Sequence, residues 1–150
     1  MDQLDVIINT GSSIIQAFYE KKGSTLKDEY RQATAVAFMD PEDMILLDLE
    51  VRDKIDVITQ WGEVTLYVDK SHDVPHKGMI FIPKGPWANI VVSPETYCCN
   101  IPTFKGIKAK IRKSEKEVLL VADLMRDTYK KYPSKDEKSL GQLPVYIKRS

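Results

Sequence analysis

The chain has 150 residues, enough for one domain that buries most of its extended surface. Its 22 basic and 22 acidic residues cancel, so no whole-chain field is available to draw in nucleic acid or an anionic membrane. Apolar runs such as 6–8 and 118–122 fall far short of the roughly 20 residues that a membrane span requires, and the acidic start MDQLDVII has the wrong sign for a signal peptide, so a cytoplasmic protein is expected.

Residues 4–10 are short, apolar and β-branched and stop at Gly11-Ser12-Ser13, which predicts a buried strand ending in a turn. A second apolar stretch, 14–19, runs into the polar KKGST segment. Residues 26–32 then predict one or two helical turns, and 33–39 a strand. Asp40 before Pro41 suits a helix N-cap followed by proline at the first helical position, so 41–47 reads as a short helix. Ile55, Val57 and Thr59, then Val64, Leu66 and Val68, alternate on either side of Trp61-Gly62, which predicts a hairpin.

Residues 78–83 (GMIFIP) form another strand, and Gly85 to Asn89 read as the loop that follows it. Ile107, Ala109 and Ile111 alternate with Lys108, Lys110 and Arg112 in a half-exposed strand. Six or seven short strands joined by small helices argue for a closed or nearly closed barrel, because an open sheet of this size would leave bare edges. From Ser114, a Ser-Glu-Lys-Glu capping-box pattern and apolar residues at helical spacing predict an amphipathic helix over about 115–131. The barrel domain with its helix would span 1–132. Residues 133–150 are polar, with Pro, Gly and Ser, and read either as a clamp on a neighbouring subunit or as a disordered tail.

The chemistry that the sequence lacks is as informative. There is no phosphate-binding G-x-x-x-x-G-K-[ST] loop, no G-x-G-x-x-G after a strand and no G-x-S-x-G elbow. His72 and His76 are four apart, but Pro75 prevents the helix that would align them, and they read as surface-loop histidines. Cys98 and Cys99 are adjacent and are the only cysteines, so they read as free thiols rather than a disulfide framework or a zinc site. No nucleophile and base stand at a recognisable spacing. No catalytic or metal-ligating residue is assigned, and the function expected of the chain is binding.

Taken in order, DPEDM (40–44), the Trp61-Gly62 hairpin, DVPHKGMIFIPKGPWANIVVSPET (73–96) and PTFKGIKAKI (102–111) resemble the D-type subunits of formylmethanofuran dehydrogenase. The likeness covers residues 4–125, and GMIFIPKGPWAN with the following PET is its specific part. That family is the detached counterpart of the molybdopterin dinucleotide-binding domain of formate dehydrogenases and dimethyl sulfoxide reductases, so the resemblance implies a mainly β, double-psi β-barrel. It implies a molybdopterin or tungstopterin guanine dinucleotide shared with a partner subunit, in an archaeal methanogenic complex that reduces CO2 to formate. The metal ligand and the iron-sulfur cluster would belong to the partner. This chain would be one component of an oxidoreductase, with no catalysis of its own.

Three places are the candidate cofactor-binding residues. Thr10, Gly11 and Ser12 form a glycine turn whose amides and hydroxyls suit a phosphate or pterin oxygen. The family shows Thr-Gly-Arg there, so Ser12 removes a guanidinium that another cation would have to replace. Gly85, Pro86, Trp87 and Asn89 are the second. Glycine permits close approach, and the asparagine amide can donate and accept against a pterin or guanine edge, or else bond its own loop. Trp87 reads either as a wedge in the barrel or interface, or as a stacking plate. Lys105 is the third, either a point charge suited to phosphate or one more solvated surface lysine like Lys108 and Lys110. Asp48 and Arg52 stand where relatives carry glycines, and a positive φ would sit more easily on Asp48. The competing reading is a double-psi barrel adaptor that grips protein partners without a cofactor.

Overall fold

Successive side chains of a strand leave the sheet on opposite faces, so an alternating run is a half-buried one. The computed structural model, which describes residues 2–96 and 101–131, has six strands, of which the first, fourth and sixth are such runs: β1 (Leu4–Gly11), β2 (Val36–Met39), β3 (Lys54–Ile58), β4 (Glu63–Lys70), β5 (Met79–Pro83) and β6 (Ile107–Lys113). Val6, Ile8 and Thr10 of β1, Val64, Leu66 and Val68 of β4, and Ile107, Ala109 and Ile111 of β6 are buried, with less buried residues between them. Each fully enclosed Ile or Leu contributes about 1.5–3 kcal/mol by leaving water.

The strands close into a barrel in the order β1, β5, β2, β4, β3, β6. β1 with β5 and β2 with β4 are parallel, and the other four pairs are antiparallel. Exchanging β1 with β4, β2 with β5 and β3 with β6 maps this pairing onto itself, so the barrel has two halves related by an approximate two-fold. Short helices α3 (Pro41–Leu46) and α4 (Pro86–Val91) follow β2 and β5, in line with that symmetry. The sequence shows no matching repeat. Closure leaves no unpaired edge, which is the reason for expecting a barrel over an open sheet.

Several expected elements shift. The apolar stretch at 14–19 becomes α1 (Ile14–Lys22), capped by Ser13. The helical turns expected at 26–32 form α2 (Asp28–Thr34), which takes up the start of the expected strand and leaves β2 to begin at Val36. Asp40 is the N-cap of α3 as expected, with its Oδ1 accepting from the Glu42 amide at 2.9 Å. Gly85 to Asn89 is not a loop. Gly85 is the N-cap of α4 and Pro86 opens it, because proline's fixed φ suits the first helical position. The last helix, α5 (Val121–Lys131), starts later than the capping-box pattern suggests, and the Ser114 hydroxyl instead accepts from the Lys116 amide at 3.2 Å.

Asp48 and Arg52 both have positive φ, 51° and 77°, at the places where the resemblance expects glycine. Arg52 is held there by its amide bond to the Val68 carbonyl (2.8 Å) and by its guanidinium on the Gln32 carbonyl (3.2 Å) and over the Tyr67 ring (5.9 Å). The tail 133–150, Tyr132, Cys98 and Cys99 lie outside the described residues.

The crossover from β4 to β5 is pinned by two buried acids. Asp40 Oδ2 accepts from the His76 amide at 2.8 Å and Asp43 Oδ2 from the Gly78 amide at 2.7 Å. On the opposite side, Asp56 of β3 is buried under residues 112–116. Its carboxylate takes the Thr65 hydroxyl at 2.7 Å, the Arg112 guanidinium at 3.2 Å and the Lys116 ammonium at 3.1 Å. Burial pushes this carboxyl up, but hydrogen bonds from Thr65, Lys116 and Ser114, with the Lys116 charge, outweigh it and hold the group below the usual carboxylate range.

A depressed pKa in the folded state stabilises above the unfolded value of about 3.9, and the stabilisation is lost as the pH falls through the folded value. Asp56→Asn is expected to cost about 1–3 kcal/mol at pH 7, the lower half being favoured because Arg112 and Lys116 are half exposed. Denaturant titrations should show that difference shrinking by pH 3; a difference independent of pH would mean the carboxylate charge is not what stabilises.

Candidate functional site

Parallel pairing carries two strand ends to the same rim. The β1–β5 register ends at Gly11 opposite Pro83, and the Lys84 amide extends it by donating to the Gly11 carbonyl at 2.8 Å. From there one chain runs through Ser12 and Ser13 into α1, and the other through Lys84 and Gly85 into α4. The segment before β6 joins them, since the Thr10 amide and hydroxyl both donate to the Phe104 carbonyl, at 2.9 and 3.1 Å. The Gly106 amide donates to Asn9 Oδ1 at 3.0 Å. Residues 10–13, 84–85 and 104–106 thus form one rim.

The rim segments pack so closely on the barrel that two positions admit no side chain. A Cβ on Gly11 would lie 2.9 Å from the Phe81 ring, and one on Gly85 would lie 2.7 Å from Thr34 Cγ2. Gly106 has φ +70°, a backbone region that side chains disfavour. The electrostatics favour anions. The Lys84 ammonium sits 4.5 Å from the centre of the Phe104 ring, and Lys105 beside it is exposed. The ion pairs of the described residues use Arg31, Lys77, Arg112, Lys113, Lys116 and Arg126, so neither Lys84 nor Lys105 is neutralised by a carboxylate among them. The first turn of α1 adds amides of Ile14 and Ile15 that have no partner within the helix, at its positive end.

The expected residues fall into three settings. Thr10, Gly11, Ser12, Gly85 and Lys105 come together at the rim. Thr10 is wholly buried and its hydroxyl is committed to Phe104, so it shapes the rim, whereas Ser12 is exposed on it. Pro86 follows Gly85 as the half-buried first residue of α4. Trp87 is enclosed completely, with its indole N–H donating to the Leu119 carbonyl at 3.0 Å and its ring 5.9 Å from Tyr30, so the wedge is the arrangement observed. Asn89 is exposed on α4 beside a groove of about 360 Å³ lined by Trp61, Gly62, Ile90, Leu124 and Thr128, and none of the rim segments lines that groove.

Two rim residues are not apparent from the sequence reading. Lys84 has a backbone tied on both sides, and Gln16 ties it: the Gln16 side-chain amide donates to the Lys84 carbonyl. The Ser-x-x-Gln spacing from Ser13 to Gln16 is a capping box and could have flagged the second. Behind Gly85, the Thr34 hydroxyl is buried without a hydrogen-bond partner among the described residues. No cluster of three or more His, Cys, Asp or Glu capable of holding a metal occurs among the described residues, and no described helix is long and apolar enough to cross a membrane. Small residues, unpaired ammonium groups and free amides around one opening fit a phosphate-bearing dinucleotide, and they supply no metal ligand.

Comparison with known proteins agrees with this geometry. Residues 7–108 match the family described as molydopterin dinucleotide binding domain, a span that takes in all three rim segments. The chain is 40% identical over 125 residues to protein FwdD of Methanocaldococcus jannaschii, covering 81% of this chain and 93% of that one. It is 33% identical to the C-type subunit of molybdenum-containing formylmethanofuran dehydrogenase 1 from Methanothermobacter thermautotrophicus, covering 84% of this chain but only 31% of that longer one. Among solved structures, acetylene hydratase from Pelobacter acetylenicus superposes with a TM-score of 0.51 at 23% identity, over 73% of this chain and 18% of that one. The designed protein mkDPBB_sym_86 does so with a TM-score of 0.50 at 14% identity, over 77% and 96%. The fold is a double-psi β-barrel.

Gly85→Ala would force Thr34 or the rim to move, and is expected to cost about 1–3 kcal/mol in urea denaturation. Adding Thr34→Ser removes the methyl in the way and should recover part of that loss. No recovery would place the strain elsewhere.

Proposed function

Because the chain belongs to the molydopterin dinucleotide binding domain family, as a D-type subunit of formylmethanofuran dehydrogenase, we propose that its rim holds the dinucleotide arm of a molybdopterin or tungstopterin guanine cofactor. The observation that carries this reading is the convergence of three glycine-containing segments with two unneutralised lysines at the paired ends of β1 and β5. When bound, the cofactor supplies the metal-centred redox chemistry through which the complex reduces CO2 to formate.

This chain's own part is to bind and orient. Lys84 and Lys105 neutralise phosphate charge, and Lys84 takes up the role that an arginine at position 12 would have had. Ser12 and the first-turn amides of α1 donate to phosphate oxygens, while Gly11 and Gly85 let the rim segments seat against Phe81 and Thr34. Pro86 sets the direction in which α4 leaves the rim, and Trp87 anchors that helix in the core. Asn89, on the groove side of α4, offers its amide to a guanine or pterin edge.

The metal ligand and iron-sulfur cluster lie on a partner subunit in this reading, and the assembly works in the cytoplasm. Ile14, Ile15 and Phe18, which are 89%, 62% and 52% exposed, follow the rim directly and supply an apolar seat for that partner. The counterpart of this barrel within the longer C-type chain supports a place for that chain nearby as well.

The deciding experiment is to purify the complex through a tag on this chain and measure metal and guanine nucleotide. Cofactor should co-purify, and a complex devoid of both would favour an adaptor. Lys84→Ala with Lys105→Ala should cut nucleotide content by about tenfold or more, since each charge-assisted contact is worth about 1.5–3 kcal/mol. Asn89→Ala should also lower nucleotide content with the barrel still folded; full occupancy would remove Asn89 from the site.

A further inference from the structure

A capping box needs only an oxygen from the residue three places after the cap. Glutamate serves this purpose as well as glutamine, and its charge also suits the positive end of the helix. In α1 that position holds Gln16, 8% exposed, and both ends of its amide are engaged. Its oxygen accepts from the Ser13 amide at 3.5 Å, and its nitrogen donates to the Lys84 carbonyl in the neighbouring segment. A glutamate would keep the first contact and lose the second, facing an acceptor with an acceptor. The choice of glutamine is therefore explained by the second segment and not by the helix.

The consequence falls on Lys84. Its amide is bound to the Gly11 carbonyl and its carbonyl to Gln16, so both of its peptide groups are held by the β1–α1 side of the rim. With the backbone fixed, the side chain reaches over the Phe104 ring, which places the ammonium beside the 104–106 segment of the rim. A Cβ on Gly85 would stand in ordinary contact with the Gln16 amide nitrogen, at 3.9 Å, so it is the Thr34 methyl at 2.7 Å and not the strut that calls for glycine there.

We propose that Gln16 is a positioning residue for the dinucleotide site, a side-chain strut that locks residues 84–85 to the start of α1 and so sets where the Lys84 ammonium meets phosphate. The proposal rests on the rim being the dinucleotide site. It extends that reading by naming a residue that touches no cofactor yet governs its binding.

Gln16→Glu in the whole complex is the discriminating variant. It keeps the capping oxygen but sets a carboxylate against the Lys84 carbonyl, so the thermal midpoint of the complex should fall, and nucleotide is measured at a temperature at which both complexes are fully folded. Nucleotide retained per complex after dilution should fall on the order of tenfold, the usual scale for residues that orient a ligand-binding group. Combining it with Lys84→Ala should lose little more than Lys84→Ala alone, because the strut acts through that lysine. Should Gln16→Glu fail to fold, Gln16→Met, similar in length and without either polar end, is read in the same way.

Wild-type nucleotide retention in the folded single variant overturns the proposal. So do losses that multiply in full in the double variant, since they would mean that Gln16 does not act through Lys84. A complex that keeps its nucleotide when this chain is stripped away would instead overturn the functional reading itself.

Discussion

The parallel pairing of β1 with β5 is the constraint from which the rest of the rim follows. In an antiparallel pair the end of one strand lies beside the start of its neighbour, so two outgoing segments never meet. Here the register ends with Gly11 opposite Pro83, and both chains leave the barrel on the same side, each into a helix. Ligand sites of open α/β sheets form outside the carboxyl ends of parallel strands for the same reason. This barrel reaches that arrangement with only two parallel pairs, by threading β5 between β1 and β2.

A register alone would bring the segments together without holding them. Polar contacts that cross between elements do the holding: Thr10 on Phe104, Asn9 on Gly106, Lys84 on Gly11 and Gln16 on Lys84. Their partners are up to 97 residues apart in sequence, so each depends on tertiary pairing of distant segments. Buried donors and acceptors cost more when left unpaired than they gain when satisfied, so such contacts specify one geometry more than they add stability. The same logic acts on the other side of the molecule, where Asp40 and Asp43 fasten the β4–β5 crossover through amides.

The approximate two-fold of the barrel is broken at the helices that follow β2 and β5. α3 and α4 occupy corresponding places, yet α4 carries Trp87 into the core and packs near α5, whereas α3 leaves Ile45 and Leu46 exposed. The half that is elaborated is the one whose strand pair ends in the rim.

Much of this was legible in the chain. Alternation in 55–59, 64–68 and 107–111 determined the strands, because pleating makes burial a period-two property that local sequence carries. Asp40-Pro41 determined a helix start, and Gly11, Gly85 and Lys105, expected by turn chemistry and by resemblance to belong together, do meet at one rim. Strand order was not legible, nor was the two-fold, since pairing between distant strands leaves no local period. Gly85 to Asn89 read as a loop because its glycine and proline are turn residues and also helix-start residues. Only packing of Trp87 against Tyr30 and Leu119 decided between the two. Lys84 and Gln16 took their meaning from each other across 68 residues, and the tertiary structure alone decides such a pair, because a hydrogen bond has a direction in space and none along the sequence.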